Sequence, residues 1–516
     1  MIRIHRSPYP PVEIPEAPLG RYVLAEAAAR GDRPALVDGV SGETTGYREL
    51  AAQVRATAVG LVADGIRPGD VVALVSQNQP RYVVAFHAIL AAGATVTPMN
   101  PMATADEMAQ QLRASGAVLA LASATAAPAV RAASTMAGVK KAVVVLGEAS
   151  FDALLDNGEP GPLPEVEPGA VAMLPYSSGT SGSPKGVMLT HRNLVAALAQ
   201  HAPLYRLTSE DTVCAVLPFF HIYGTTMILN YALRAGAAVV TLPRFELTSF
   251  LRAIETYGVT RGHFAPPLVL TLANAPEVEN YDLSSLRLAM SGAAPLDVEV
   301  AARATARIGA PIGQGYGMTE ASPGIHFLAD EEVGVVSAGS VGRLIPNTEA
   351  RLVDPATGRD DESSGELWVR GPQVMAGYLG NPTATAETIV EDGWLRTGDI
   401  LRLDANGVWW VVDRLKELIK YKGYQVAPAE LEALLLTHPA VLDAAVIGVP
   451  HAEGGEAPKA FVVTSDPALT DDELMAWVAK KVAPYKRIRF VELIDAIPKS
   501  PSGKVLRRVL RDRDRQ

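Results

Sequence analysis

Residues 174–185 read LPYSSGTSGSPK, and the setting of this stretch decides what kind of chain it belongs to. The apolar run Val171 to Leu174 reads as a β-strand leading into it, and Gly186 to Leu189 with a helix-start signal at Thr190 follows. Ser177, Ser178, Thr180, Ser181 and Ser183 offer hydroxyls, and Lys185 adds positive charge. Gly179 and Gly182 let backbone N–H groups turn toward an anion without a Cβ clash. A flexible surface loop can have the same Ser/Gly composition. A loop fixed between a strand and a helix start, and closed by lysine, suits a polyphosphate better. It departs from the phosphate loop of kinases and ATPases, because Lys185 is followed by Gly186 instead of Ser or Thr.

Outward from this loop, most of the chain before Gly365 alternates short β-like runs with amphipathic helical ones. Val71 to Val75 precedes a helical pattern over Arg81 to Ala92. Val118 to Ser123 precedes an Ala-rich helix ending near Ala137, with Pro128 marking its start, and Lys141 to Leu146 resumes β character. Val239 to Leu242, Leu247 to Tyr257 and Gly262 to Ala265 repeat the theme. Such alternation predicts parallel sheets covered by helices. Around Gly365 the pattern changes to strands joined by short turns: Glu366 to Val369, Ile400 to Leu403, and Val408 to Val412 after the turn Asp404 to Gly407. A small antiparallel β-barrel or sheet is expected there. The charge-dense segment Asp413 to Tyr424 separates it from a last α+β unit, with a helix from Pro428 to Leu436 and strands at Val441 to Val449 and Ala460 to Val463. In that unit Thr470 and Glu473 make a capping box ahead of Leu474, Trp477, Val478 and Val482. The expected architecture is α/β. A large N-terminal domain over residues 1–413 holds helix-covered sheets and the small barrel, and an α+β C-terminal domain spans 414–516.

Composition sets the class. The 516 residues are 48% hydrophobic and 20% charged, ample for a large core, and the net charge of −10 argues against nucleic acid as the main partner. The single cysteine, Cys214, lies in an apolar run and reads as core, so no intramolecular disulfide is available and a reducing cytoplasm is the expected setting. The nine histidines show no metal-ligand spacing. Met1 to Pro18 lacks the apolar stretch of a signal peptide, and no run reaches the ~18 apolar residues of a membrane span.

Further motifs offer chemistry. Gly313 to Ala321 reads GQGYGMTEA: Tyr316 is an aromatic for stacking, Thr319 a hydroxyl for phosphate, and Glu320 a carboxylate suited to Mg²⁺. A Gly-rich turn around a buried tyrosine would read the same way. Pro218 to Gly224 (PFFHIYG) holds His221, which by itself reads as a core histidine. Thr397-Gly398-Asp399 holds a carboxylate, although such triplets are commonly turns. Ile497 to Arg508 (IPKSPSGKVLRR) puts Lys504 on a Pro/Ser/Gly loop, with Arg507, Arg508, Arg511 and Arg513 reading as a basic tail.

SSGTSGSPKG followed by VMLTHRN resembles the signature of the adenylate-forming superfamily of acyl-CoA synthetases, adenylation domains and luciferases, though Ser181 and Ser183 differ from its commoner choices. FFHIYG, SGAAPLD and DRLKELIKYKGYQVAPAELEALLLTHP resemble 4-coumarate–CoA ligases, including bacterial ones, and the likeness runs from about Arg33 to about Arg508. The resemblance implies an acid–CoA ligase that uses ATP, Mg²⁺ and coenzyme A. It implies that Ser177, Ser178, Gly179, Thr180, Ser181 and Lys185 hold phosphate, and that Gln314, Gly315, Tyr316 and Thr319 face the nucleotide. Thr180 and Glu320 would hold the metal, and Asp399 and Arg414 the ribose and phosphate. Lys504 would be the catalytic lysine, and His221 the residue at the mouth of the acyl pocket. That pocket would be lined by Ile222, Tyr223, Met227, Met290, Ala293, Gly315, Pro323 and Gly324. Lys416 would be the hinge of a mobile C-terminal domain. Lys420 and Gln425 would serve the adenylate state, and Lys422, Gly423 and Arg244 the CoA. An arylacrylate of the 4-coumarate/cinnamate type is the leading substrate. A medium- or long-chain fatty acid, an acyl-AMP ligase, a luciferase-type oxygenase, a carrier-loading adenylation domain and a catalytically inactive nucleotide-binding scaffold remain open at this point.

Overall fold

The computed structural model describes residues 2–156, 161–177, 184–421, 424–451, 455–500 and 503–514, with backbone alone at 424 and 425. Of the expected phosphate loop, Ser178, Gly179, Thr180 and Ser181 lie outside the described residues, as do Lys422 and Gly423.

Two large sheets form the N-terminal part. In the first, Val71–Val75 lies between Thr95–Met99 and Ala117–Ser123, parallel to both. Val72 to Val75 are all fully buried, as befits a continuous apolar run covered on two faces. Helix Pro80–Ala91 opens with proline at its first turn, where no N–H partner is lost, and buries Tyr82 and Phe86. The Ala-rich helix is Ala127–Ala137, with Pro128 in its first turn. The β character expected from Lys141 is confined to Val144–Leu146. At the other edge of this sheet Lys185–Thr190 pairs with Val171–Met173, Tyr176–Ser177 and Gly377–Tyr378. Thr190 caps the next helix, His191–His201, by a reciprocal box with Asn193.

The second sheet runs Ile312–Gln314, Leu288–Ser291, Arg261–Phe264, Thr212–Ala215, Ala238–Thr241, Pro34–Asp38, Thr44–Gly46, and all its neighbours except the last pair are parallel. Cys214 is 1% exposed in this sheet, and burial pushes its thiol pKa far up, so it is an inert core residue.

From Glu349 to Arg414 the chain forms six strands of an antiparallel sheet. Its hairpin turn holds because Asp404 Oδ1 accepts from the N–H groups of Asn406 (2.9 Å) and Val408 (2.8 Å). His5–Arg6 adds an edge strand to this sheet from a segment without β signals. The last unit pairs Ile419–Tyr421, Tyr424–Val426, Val441–His451, Gly455–Thr464 and Phe490–Leu493. Helices Pro428–Leu436 and Asp471–Ala479 accompany the sheet, and the second starts at the Thr470–Glu473 capping box. The arginines read as a tail instead form helix Arg507–Asp514. The Arg507 side chain is only 11% exposed, and it pairs with Glu417 (2.8 Å) and Glu432 (2.6 Å). No helix among the described residues is long and apolar enough to cross a membrane.

Candidate active site

Parallel strands point their carboxyl ends the same way, so the loops that follow them gather at one edge. Five neighbouring strands of the second sheet deliver loops there, four of them carrying expected site residues. Thr212–Ala215 leads to Pro218–Gly224, Ala238–Thr241 to Arg244, and Arg261–Phe264 to Ala265-Pro266-Pro267. Leu288–Ser291 leads to Gly292–Pro295, and Ile312–Gln314 to Gly315–Glu320.

At the end expected to hold the nucleotide, Ser177 and Lys185 face each other across a strand pair whose connecting loop contains the glycines. Beneath them Glu320, 6% exposed, receives the Ser177 hydroxyl (3.1 Å) and the Tyr378 hydroxyl (3.0 Å) on one carboxylate oxygen. The other oxygen has no hydrogen bond to the described residues, a donor set suited to one hard cation that takes its remaining ligands from phosphates and water. Lys185 Nζ lies 4.9 Å from the centre of the Tyr378 ring, which fixes the lysine over it. Tyr378 is the residue sequence reasoning missed, since a tyrosine in a Gly-Tyr-Leu-Gly turn carries no signal of its own. Among the described residues no group of three or more His, Cys, Asp or Glu forms a metal cluster.

Tyr316 and Asp399 meet. The phenol donates to Asp399 Oδ2 at 2.5 Å, and Arg414 Nε lies 3.5 Å from Oδ1. Burial raises the Asp399 pKa, while Arg414 and the tyrosine act against that rise. The Thr397 hydroxyl accepts from Asp399 N (3.1 Å) and donates to Leu367 O (2.8 Å), which locks the turn. Gln314 spends its amide on the backbone of Leu296, accepting from N at 3.2 Å and donating to O at 3.4 Å, so it braces the 292–296 loop. Gly315 N–H donates to Ser291 O at 3.1 Å, holding the two loops edge to edge. A Cβ on Gly317 would stand 1.9 Å from Pro323 O, so only glycine lets the Tyr316 strand pass. Thr319 opens a single 3-10 turn that carries Glu320 inward.

At the acyl end, Gly224 decides the shape of the PFFHIYG loop. Its missing Cβ would lie 2.1 Å from Pro218 O. A π-helix, Gly224–Asn230, follows, with Asn230 donating to Thr225 O at 2.8 Å. We predict that Gly224→Ala costs ~1–3 kcal/mol by overpacking and displaces His221. Thermal unfolding should show the loss together with a lower kcat. His221 is partly buried, and burial, helped by Lys504, lowers its pKa to about 4, so it is neutral at pH 7. Tyr223 donates to Met290 O (3.2 Å) and stands 3.1 Å from His263 Nδ1. Ile222, Met227 and Met290 are 1–2% exposed, giving an apolar wall. Ala293 sits at φ 73°, a region costly for a side chain with a Cβ and frequent at ligand sites. Gly324 admits the His201 ring, which a Cβ would meet at 2.3 Å, and Pro323 follows Ser322 through a cis bond.

Lys504 arrives from the C-terminal unit. Its loop closes on itself through Ser500 N to Lys504 O (2.8 Å) and Lys504 N to Ser500 Oγ (3.1 Å). The neighbouring Gly503 packs against Pro267, at the end of the Arg261–Phe264 strand. Burial lowers the Lys504 pKa to about 8. Arg414 acts in the same direction, and Glu417 and Asp399 oppose them within that value. The ammonium is thus within electrostatic reach of His221, Arg414 and Asp399 at once. Lys416, Lys420 and Arg244 are exposed. Gln425 pairs with Lys420 through its backbone, and its side chain lies outside the described residues.

Residues 24–379 match the family described as AMP-binding enzyme, and residues 430–504 match the AMP-binding enzyme C-terminal domain. The chain is 43% identical to 4-coumarate–CoA ligase 2 of Nicotiana tabacum, covering 98% of this chain and 96% of that protein. It is 44% identical to 4-coumarate–CoA ligase 5 of Oryza sativa subsp. japonica, covering 98% and 97%. Among solved structures, the anthranilate CoA ligase AuaEII in complex with anthranoyl-AMP superposes with a TM-score of 0.89 at 25% identity, over 96% of this chain and 97% of that one. ATP-bound MatB from Rhodopseudomonas palustris gives 0.88 at 28%, over 96% and 99%. With Lys504 of the second matched region brought to the edge where the first gathers its loops, the chain belongs to the AMP-binding enzyme family.

Proposed function

We propose that this protein is an ATP-dependent acid–CoA ligase that forms an acyl-adenylate and then a CoA thioester, with acids of the 4-coumarate/cinnamate type as substrates and the cytoplasm as its compartment. The observation that carries the reading is the packing of the Lys504 loop, through Gly503, against Pro267 beside the gathered loops, which puts Lys504 within electrostatic reach of His221, Arg414 and Asp399. Names of relatives at 43–44% identity over nearly the whole chain support the substrate class.

In the first step the substrate carboxylate attacks the α-phosphorus of ATP and pyrophosphate leaves. Lys504 sits between carboxylate and α-phosphate and offsets the charge that builds there. Asp399 accepts from the ribose hydroxyls, with Tyr316 holding its carboxylate and Arg414 beside it. Lys185 and the glycine-containing loop after Ser177, Thr180 included, hold the outgoing phosphates. Glu320, its second oxygen without a hydrogen bond among the described residues, would hold Mg²⁺, which when bound neutralises phosphate charge. In the second step the CoA thiolate attacks the adenylate carbonyl and AMP leaves. The C-terminal unit turns about Lys416 between the steps, with Lys422, Gly423 and Arg244 meeting CoA and Lys420 and Gln425 the adenylate state. Tyr223, Met290, Ala293 and Gly324 shape the acyl pocket. No protein nucleophile is needed, because each attacking group comes from a substrate.

The test is pyrophosphate release with MgATP and CoA across 4-coumarate, cinnamate, octanoate and palmitate. Turnover should be highest with an arylacrylate. A fatty-acid optimum would keep the two-step chemistry and overturn the substrate class.

A further inference from the structure

Helix Pro428–Leu436 of the C-terminal unit has no cap from its own sequence. Its N-cap residue is Ala427, without a side-chain hydrogen bond, and Pro428 at the next position has no N–H. The first free donor, Ala429 N–H, is met by the Asp413 carboxylate at 3.1 Å through Oδ2. Asp413 belongs to the strand Trp409–Arg414, which is paired into the antiparallel sheet of the N-terminal part. Backbone pairing to that sheet continues to Leu415, whose N–H donates to Gly398 O at 2.9 Å. The bond from Asp413 to Ala429 therefore spans the junction around Lys416. It is buried: Asp413 is 5% exposed. An apolar cluster beside it joins Ile400 and Val412 from one side to Leu418 and Ala427 from the other.

The connection continues to the catalytic loop. Glu432, one turn along the same helix, accepts from Val446 N (2.8 Å) and pairs with Arg507 (2.6 Å). Arg507 also donates to Val446 O at 3.3 Å and pairs with Glu417, and it lies three residues beyond Lys504. A carboxylate buried at this depth is costly unless hydrogen-bonded. Among the described residues Asp413 has two N–H donors, Ala429 and the adjacent Arg414 (2.7 Å), with Arg507 as the attracting charge and Glu432 as the repelling one.

We propose that Asp413 is a positioning residue for Lys504: by capping helix Pro428–Leu436 across the domain junction, it latches the C-terminal unit in the orientation that forms the acyl-adenylate, and it lets go when the unit turns for the thioester step. The inference rests on the two-step ligase reading above. The latch acts on the first half-reaction alone, because the helix that it caps leaves the strand when the unit rotates.

Two full-length variants test it. Asp413→Ala removes the acceptor. Ala429→Pro removes the donor and leaves Asp413 in place, and this chain already starts helix Pro266–Asn274 with two consecutive prolines. Acid-dependent exchange of pyrophosphate into ATP reads the first half-reaction, and CoA ester formed from supplied 4-coumaroyl-adenylate reads the second. Both variants should lose about tenfold or more in the first, since small misplacements of a catalytic group are costly, and should stay within about twofold of wild type in the second. Equal losses in both half-reactions, or no loss in either, overturn the latch while an active wild type keeps the ligase reading. If Asp413→Ala does not fold, Ala429→Pro alone decides. A folded wild type without exchange on any acid removes the ligase reading and the latch with it.

Discussion

Replacing Lys504 with alanine should slow acyl-adenylate formation by about 10²–10³-fold, the usual cost of removing one preorganised donor from a developing negative charge. The partly buried ammonium is held by a loop closed through Ser500, so little reorganisation is needed when the α-phosphate becomes pentacoordinate. Thioester formation from supplied acyl-adenylate should stay near the wild-type rate, because the thiolate attacks carbon after the C-terminal unit has turned. The same geometry sets a pH dependence. Burial lowers the Lys504 pKa to about 8, so the charged form is lost as pH rises through that value. The kcat/KM of the free enzyme for adenylation should therefore fall above about pH 8, instead of persisting toward the ordinary lysine range. A profile flat to pH 10 would remove Lys504 from the reacting centre.

Glu320→Gln should cost about 10²-fold in kcat/KM for MgATP with little change in thermal stability. Glutamine keeps the volume and can still accept the hydroxyls of Ser177 and Tyr378, so the shell around position 320 survives. What it loses is the charge and one oxygen acceptor, which are what a hard cation needs. The loss should be partly recovered at high Mg²⁺, and the Mg²⁺ concentration for half-maximal activity should rise. An unchanged Mg²⁺ titration would place the metal elsewhere.

Much of the fold was legible because local signals agreed with their tertiary setting. The run Val71–Val75 is apolar throughout and lies between two parallel neighbours. The capping boxes at Thr190 and Thr470 and the Asp404 hairpin turn are written within four or five residues. The missed features depend on partners far apart in sequence. His5–Arg6 is too short for any periodicity and becomes a strand only because Glu349–Val353 offers an edge. Arg507 sits in a run of charges that reads as solvated, yet Glu417 and Glu432, distant in sequence, enclose it. The π-helix after Tyr223 and the positive φ of Ala293 are imposed by packing and leave no composition mark. The candidate site was readable as motifs, since hydroxyls, glycines and single charges announce phosphate chemistry. The ties between motifs, Tyr316 to Asp399, Tyr378 to Glu320 and Asp413 to Ala429, emerged only in three dimensions.

The most direct measurement is exchange of labelled pyrophosphate into ATP, with Mg²⁺ and 4-coumarate and without CoA. Reversible acyl-adenylate formation predicts label in ATP only when the acid is present, and none when either the acid or Mg²⁺ is omitted. A folded, ATP-binding protein that exchanges no label with 4-coumarate, cinnamate, octanoate or palmitate, or that exchanges equally without any acid, would contradict the account.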